Sequence, residues 1–272
     1  MQHQGITAPA ALQDTIQGFW YARIDFTELP TGFERVPDGF AEIIFHFGSP
    51  CRVATADGGQ PLPSPFLMGL LSQPVVLHAA GQLEIIGIKC FPWLVFELLG
   101  LPASTGGVRT FAHPIARLQP VLAAHVQAGR INEALALVQQ YFLHAQQDAT
   151  ADRTLTKAGE AMRAAYGTLP VTAVAAAAHA TVRTLERKFK QAAGYSVKDV
   201  SGLMRFEQVR NHLWLHPDAN LAGLAQEVGY TDQSHLSRDF KRYSGTTPKA
   251  FARNAQQRQQ GLSDAFVAFL QD

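Results

Sequence analysis

The second half of the chain repeats itself, and few folds can accommodate that repeat. Leu185-x3-Phe189-Lys190-x3-Gly194-x-Ser196 returns as Leu236-x3-Phe240-Lys241-x3-Gly245-x-Thr247, every position displaced by 51 residues. Just upstream, Val174-Ala175-x3-His179-Ala180 matches Leu224-Ala225-x3-Gly229-Tyr230 with a displacement of 50. The difference puts one extra residue into the second copy's turn. A repeated supersecondary unit outranks any single motif as a guide to architecture.

Each copy reads as a short helix, a tight turn and a second helix. Gly229 can adopt the positive φ that ends a helix. His179 holds the matching place, and histidine is among the non-glycine residues that tolerate that conformation. Thr181 then supplies an N-cap hydroxyl, and Thr231 or Asp232 does so in the second copy. Together these features spell a helix-turn-helix, written twice.

Helical periodicity, at about 100° per residue, sorts the two second helices into faces. Val182, Leu185 and Phe189 form an expected core stripe with Arg183, Arg187 and Lys190 opposite. In the second copy Leu236, Phe240 and Tyr243 form the stripe, with Ser234, Arg238 and Lys241 opposite. A basic helix face is ordinarily just a solvated one. Here the same face recurs on the second helix of both units, which favours contact with DNA. Net charge points the same way. Residues 1–150 carry 7 Lys+Arg against 11 Asp+Glu (−4) and residues 151–272 carry 16 against 11 (+5), summing to the overall +1. A basic half joined to an acidic one suggests a polyanionic partner, although on charge alone an uneven surface is an equally good account.

Residues 154–254 resemble the DNA-binding domain of AraC/XylS-type transcription regulators. The signature is the run Gly229-Tyr230-Thr231-Asp232-Gln233-Ser234-His235-Leu236-Ser237-Arg238-Asp239-Phe240-Lys241-Arg242, followed by Gly245-Thr246-Thr247-Pro248. The first unit departs from the pattern at His179, where glycine is customary, and in the bland Ala175–Ala178 run, which implies a less strict reader. The resemblance implies two recognition helices joined by a rigid linker helix and entering successive major grooves. The sequence supports such a linker from about Val197 to Leu215, stopped at His216-Pro217 because proline cannot continue the helix. Carried over position by position, Arg183, Glu186, Arg187, Gln233, Ser234 and Arg238 would read bases, with Thr181, Lys190, Lys241 and Arg242 on phosphate. The chemistry fits: arginine binds guanine bidentately, glutamine binds adenine, and glutamate accepts from cytosine. Pairing of Glu186 with Arg183 or Lys190 is an equally good account of that residue.

The first ~100 residues read as β. Phe19–Phe26, Ala41–Phe47, Val75–Ala79 and Leu83–Cys90 are β-branched and aromatic runs, separated by turn-prone Pro/Gly clusters and an irregular Pro61–Pro65 segment. A sandwich or barrel is expected rather than a parallel sheet. From Pro92 the pattern turns helical, with Trp93–Leu99 apolar nearly all round. Ile115, Leu118, Leu122 and Val126, then Ile131, Leu135, Val138 and Phe142, have helical spacing on either side of Ala128-Gly129. That hairpin's stripe either packs on its own domain or contributes to a dimer. Residues 147–153 form the expected linker and 262–270 a short tail helix. The expected fold is therefore α+β. A β-rich effector-sensing or dimerisation domain occupies 1–150, an all-α domain with two helix-turn-helix units occupies 152–254, and a tail helix lies within 255–272.

Residues 1–150 also resemble, less specifically, the N-terminal domains of some regulators of this family, through 36–45 and 87–92. The implied partners are promoter or operator DNA, a small-molecule effector, a second copy in a homodimer and, for an activator, RNA polymerase. No residue is assigned to an effector. The alternative from another class is a cupin-like barrel enzyme, metal-dependent or otherwise, whose helical half mediates protein contacts. Against it, His46, His78, His113 and His125 are scattered and lack a His-x-His, and the His212/His216 pair lacks a third ligand. There is no G-x-S-x-G elbow, P-loop or G-x-G-x-x-G. The expectation is no enzyme, no cofactor and no metal. Trp20, Tyr21, Phe45, Phe47 and Trp93 are either core or the lining of an apolar pocket. Cys51 and Cys90 are too few for a disulfide framework and suit a reducing cytoplasm, with a thiol sensor as the other reading. No apolar stretch reaches membrane-spanning length, and MQHQGITAPA has neither the basic n-region nor the apolar h-region of a secretory signal.

Overall fold

The computed structural model describes residues 2–27, 32–55, 58–103, 105, 107–145 and 152–259. The chain divides into two compact units, Met1–Arg35 with Phe40–Gly69 and Val75–Thr150, and Val36–Gly39 with Leu70–Pro74 and Ala151–Asp272.

Among the described residues the first unit holds ten strands, β1 (Gln2–Thr7), β2 (Ile16–Asp25), β3 (Phe33–Arg35), β4 (Ala41–Gly48), β5 (Arg52–Val53), β6 (Gln60–Pro61), β7 (Phe66–Met68), β8 (Val75–His78), β9 (Gln82–Cys90) and β10 (Val108–Arg109). They make two antiparallel sheets, β1-β2-β9-β4-β7-β10 and β3-β8-β5-β6. Three helices follow the main strands: α1 (Val95–Leu98), α2 (Gln119–Gln127) and α3 (Ile131–Ala145).

Alternation along the central strands explains where the helices go. Phe19 and Tyr21, Ile43 and Phe45, and Ile86 and Ile88 share one core with Leu122 and Val126 of α2 and with Leu135, Val138 and Phe142 of α3. The hairpin stripe therefore packs on its own sheet. The opposite face carries Trp20, Ile24, Ile44 and Ile85, all buried as well. Strands buried on both faces read as unbroken apolar runs, which is why β4 and β9 stand out in the sequence. Of the five aromatics considered for a pocket, Tyr21, Phe45 and Phe47 belong to this helix-facing core, and Trp20 and Trp93 are buried too.

The second unit is helical: α4 (Arg153–Ala164), α5 (Val171–Ala177), α6 (Val182–Ala193), α7 (Val197–Leu215), α8 (Leu221–Glu227), α9 (Gln233–Ser244) and α10 (Pro248–Gln259). The linker helix α7 has the predicted limits. A reciprocal Ser196–Asp199 capping box opens it and His216 closes it. Its Val200, Leu203, Phe206, Val209 and Leu213 are buried, as befits a helix enclosed by the others. Phe206 meets Phe240 and Tyr243 of α9 at ring separations of 5.1 and 5.3 Å, and Phe240 meets Phe251 of α10 at 5.4 Å. Two short segments of the first half belong to this unit. Arg210 donates to the Pro37 carbonyl (3.3 Å) and the Tyr195 hydroxyl to the Leu70 carbonyl (2.9 Å).

Several expectations need correction. Val182 is 39% exposed, so the core stripe of α6 is Leu185, Phe189 and Ala193. Its place as first residue of the helix, beside the cap, leaves it outside the packed turns. The Trp93–Leu99 helix shrinks to the four residues of α1, and β10 lies between it and α2. The expected linker, apart from Asp152 and Arg153, and residues 260–272 of the expected tail lie outside the described residues, while residues 255–259 continue α10 beyond the expected domain end at 254.

Candidate nucleic-acid interface

Both turns have the geometry that their sequences require. His179 (φ 50°) and Gly229 (φ 73°) are left-handed. In the first turn the Ala180 N–H reaches back to the Ala175 carbonyl (2.9 Å) and the His179 N–H to that of Ala176 (3.0 Å). In the second, Tyr230 reaches Ala225 (2.8 Å) and Gly229 reaches Gln226 (3.2 Å). These are two Schellman motifs closing two equivalent helices. The extra residue of the second copy falls just after, so the caps differ. The Thr181 hydroxyl accepts from the Thr184 N–H (3.2 Å), whereas Asp232 accepts from the His235 N–H (2.7 Å).

The two second helices end alike. Gly194 (φ 77°) and Gly245 (φ 72°) are left-handed C-caps whose N–H groups bond the Lys190 and Lys241 carbonyls. Ser196 and Thr247 then accept from the N–H groups of Asp199 and Ala250 at the starts of α7 and α10. The repeated Gly-x-Ser/Thr is thus a stop signal joined to a start signal.

On α6, Arg183, Arg187 and Lys190 are exposed, and Arg187 donates to Gln191 (3.2 Å). Lys188 faces the other way and pairs with Asp152, the N-cap of α4. Burial alone would raise the Asp152 pKa, but hydrogen bonds from Lys188 and from the Thr154 and Leu155 N–H groups hold it below its ordinary value. Glu186 is half-buried and accepts from the Val197 N–H at 3.2 Å, a bond across the α6–α7 junction.

On α9, Gln233, Ser234, Arg238, Lys241 and Arg242 are all exposed. Arg238 leans along its own helix towards the Ser234 carbonyl (3.4 Å), and the Arg242 guanidinium lies over the Tyr243 ring (5.1 Å). Of the ten residues that the resemblance implies for DNA, eight are exposed on α6 and α9, Thr181 is exposed at the N-cap of α6, and Glu186 is engaged at a helix junction.

A family model described as a helix-turn-helix domain matches residues 174–254. Residues 174–254 form an AraC-type helix-turn-helix domain. Such a domain is a DNA-binding module of transcription regulators, and the exposed basic faces of α6 and α9 belong to it. A second model, a domain of unknown function (DUF6597), matches residues 4–107. No curated protein matches the chain. Among solved structures, ToxT from Vibrio cholerae is 8% identical over 93% of this chain and 98% of its own, with a TM-score of 0.47. The C-terminal domain of AraT, a response regulator from Geobacillus stearothermophilus, is 22% identical over 39% of this chain and 88% of its own (TM-score 0.36). The DNA-binding domain of the global transcriptional factor AdpA, solved with a target DNA, is 21% identical over 41% and 100% (TM-score 0.37).

Among the described residues, no group of three or more His, Cys, Asp or Glu is arranged to hold a metal. Burial pushes the Cys51 thiol up to about 11 and raises that of Cys90 further. Both are poor thiolates. No helix among the described residues is long and apolar enough to cross a membrane. The residue that sequence reasoning missed is Arg205 of α7, which bonds the Gly167 carbonyl and lies over Tyr230. It falls within an apolar helix pattern that gave no reason to single it out.

Proposed function

We propose that the chain is a sequence-specific transcription regulator whose α6 and α9 each enter a major groove on one face of a duplex. Arg183, Arg187, Gln233, Ser234 and Arg238 read base edges, while Thr181, Lys190, Lys241 and Arg242 hold phosphates. Glu186 is better used at the α6–α7 joint, because its carboxylate already accepts from Val197. One observation carries the reading: a capped, glycine-closed helix with an exposed basic face occurs twice, on either side of one enclosed helix. The nineteen residues of α7 span roughly 28 Å at 1.5 Å each. Successive major grooves lie ~34 Å apart, and the width of the flanking units supplies the difference. On this reading the protein works by binding, in the cytoplasm. Residues 1–150 sense a small-molecule effector or pair two copies, and 152–254 hold the DNA. RNA polymerase is a further partner if it activates.

The test is selection of DNA from a random-sequence pool by the full chain, followed by fluorescence anisotropy at several salt concentrations. Enrichment of a defined sequence, bound well above scrambled DNA, is expected. Binding that never exceeds the non-specific level at any salt would remove the proposal.

A further inference from the structure

We infer that Arg205 is a positioning residue that sets the distance and rotational phase at which the two helix-turn-helix units meet DNA. The inference rests on the regulator reading and names what makes its two readers act as one body.

Arg205 sits in the middle of α7. Its Nη1 donates to the Gly167 carbonyl at 2.6 Å, and its guanidinium carbon is 5.3 Å from the centroid of the Tyr230 ring. Gly167 lies in the turn between α4 and α5, at the entrance to the first unit. Tyr230 is in the turn of the second, buried to 4% exposure. One side chain on the linker therefore holds both the turn that leads into the first helix-turn-helix and the turn of the second.

The surroundings leave little slack. Gly167 is left-handed (φ 73°), and a Cβ added there would stand 2.4 Å from the Ser201 carbonyl oxygen of α7. The turn thus lies directly on the linker backbone, where only glycine fits. A Cβ added at Gly229 would meet Thr168 at 3.3 Å, so the turn of the second helix-turn-helix also lies against the segment that leads into the first. Arginine suits the position because its planar fork can bond a carbonyl and face a ring at once. A lysine ammonium has no such second surface.

The consequence is legible on DNA. One added base pair moves a half-site by about 3.4 Å and turns it by roughly 35° around the helix axis. A rigid pair of readers accepts one separation, whereas a loosened pair accepts its neighbours.

The probe is DNA selected from a random pool by the full-length wild-type chain. It is compared with versions carrying one inserted or one deleted base pair between the half-boxes, and with the second half-box alone. The wild type should lose roughly tenfold or more in affinity on insertion or deletion, the scale of a lost base contact. Arg205→Met keeps the stem and removes the fork. It should bind the native spacing about tenfold more weakly, show a spacing penalty of about threefold or less, and bind the single half-box within about twofold of wild type. Arg205→Lys, which keeps stem and charge, should lower the spacing penalty by at least half on a logarithmic scale, and it carries the test if the methionine variant does not fold. A folded variant with the wild-type spacing profile would overturn the inference while leaving the regulator reading in place. Failure of the wild type to enrich any DNA would overturn both.

Discussion

The Trp20 indole lies against Gly87, its partner across β2 and β9, so closely that a Cβ added at Gly87 would stand 2.1 Å from the ring atom Cε2. The same indole faces the Arg35 guanidinium at 5.7 Å, and Arg35 pairs with Glu42, which is 4% exposed. Glycine inside a central strand weakens it. Here that cost makes room for a large ring and for the cation paired with a buried carboxylate. Gly87→Ala should destabilise the first unit by about 1–3 kcal/mol through overpacking. Adding Trp20→Leu should recover part of that loss, because neighbours in contact are not additive. Urea melts of the four members of the cycle measure it. An alanine variant as stable as wild type would refute the close contact.

The two turns are equivalent in shape and unequal in residue. His179 holds a left-handed conformation that costs an L-residue roughly 1–2 kcal/mol, whereas glycine there gives back roughly 0.5–1 kcal/mol in chain entropy. His179→Gly should therefore be neutral to slightly stabilising. Gly229→Val should cost more than 2 kcal/mol, as about the sum of a β-branched residue at positive φ and a Cβ pressed on Thr168. Thermal denaturation of both variants compares them directly. Equal losses in the two would mean that the turns are not equivalent.

The helical half was legible in the sequence because its signals are local. Glycine and histidine at the turns, Thr181 and Asp232 at the caps, and Pro217 after α7 each act within a few residues of where they stand. Strands β2, β4, β8 and β9 were legible because they are apolar runs between turns. β1 was not: Gln2–Thr7 is mostly polar and partly exposed, and it is a strand because its backbone pairs with β2. β5, β6 and β10 are two residues each, too short for any period. Of the interface, the exposed faces of α6 and α9 follow from periodicity alone. The Val197 contact of Glu186 and the Asp152 contact of Lys188 do not, because each joins residues brought together by packing.

Asp152 caps α4 and holds Lys188 of α6, so one carboxylate ties α6 to the start of α4. Its folded-state pKa lies below the ordinary 3.8, so the stability it contributes is present above that value and is lost as pH falls through the lower, folded one. Asp152→Ala should cost about 1–2 kcal/mol at pH 7, roughly 1 from the cap and up to about 1 from the part-exposed ion pair. The gap between variant and wild type should narrow as pH drops below about 4. Urea unfolding of both chains from pH 7 to pH 3 reads this out. A gap that stays constant across the range would show that the charge of Asp152 contributes nothing.

The sharpest test of the proposed interface separates charges that read sequence from those that hold the backbone. Arg238 and Lys241 are both exposed on α9, opposite the buried Leu236, Phe240 and Tyr243. Arg238 stands nearer the start of the helix, the end that reaches base edges when a recognition helix lies in the major groove. Arg238→Ala should cost roughly 1–3 kcal/mol at the selected site and relax preference at one or two base pairs. Lys241→Ala, almost one turn further on, should weaken all sequences alike and make the log–log salt slope shallower by about 1. Neither change touches the core, so both variants should melt within about 0.5 kcal/mol of wild type. Binding-site selection with each variant at matched salt decides the matter. If Arg238→Ala selects the wild-type bases at every position, α9 does not lie in the groove as proposed.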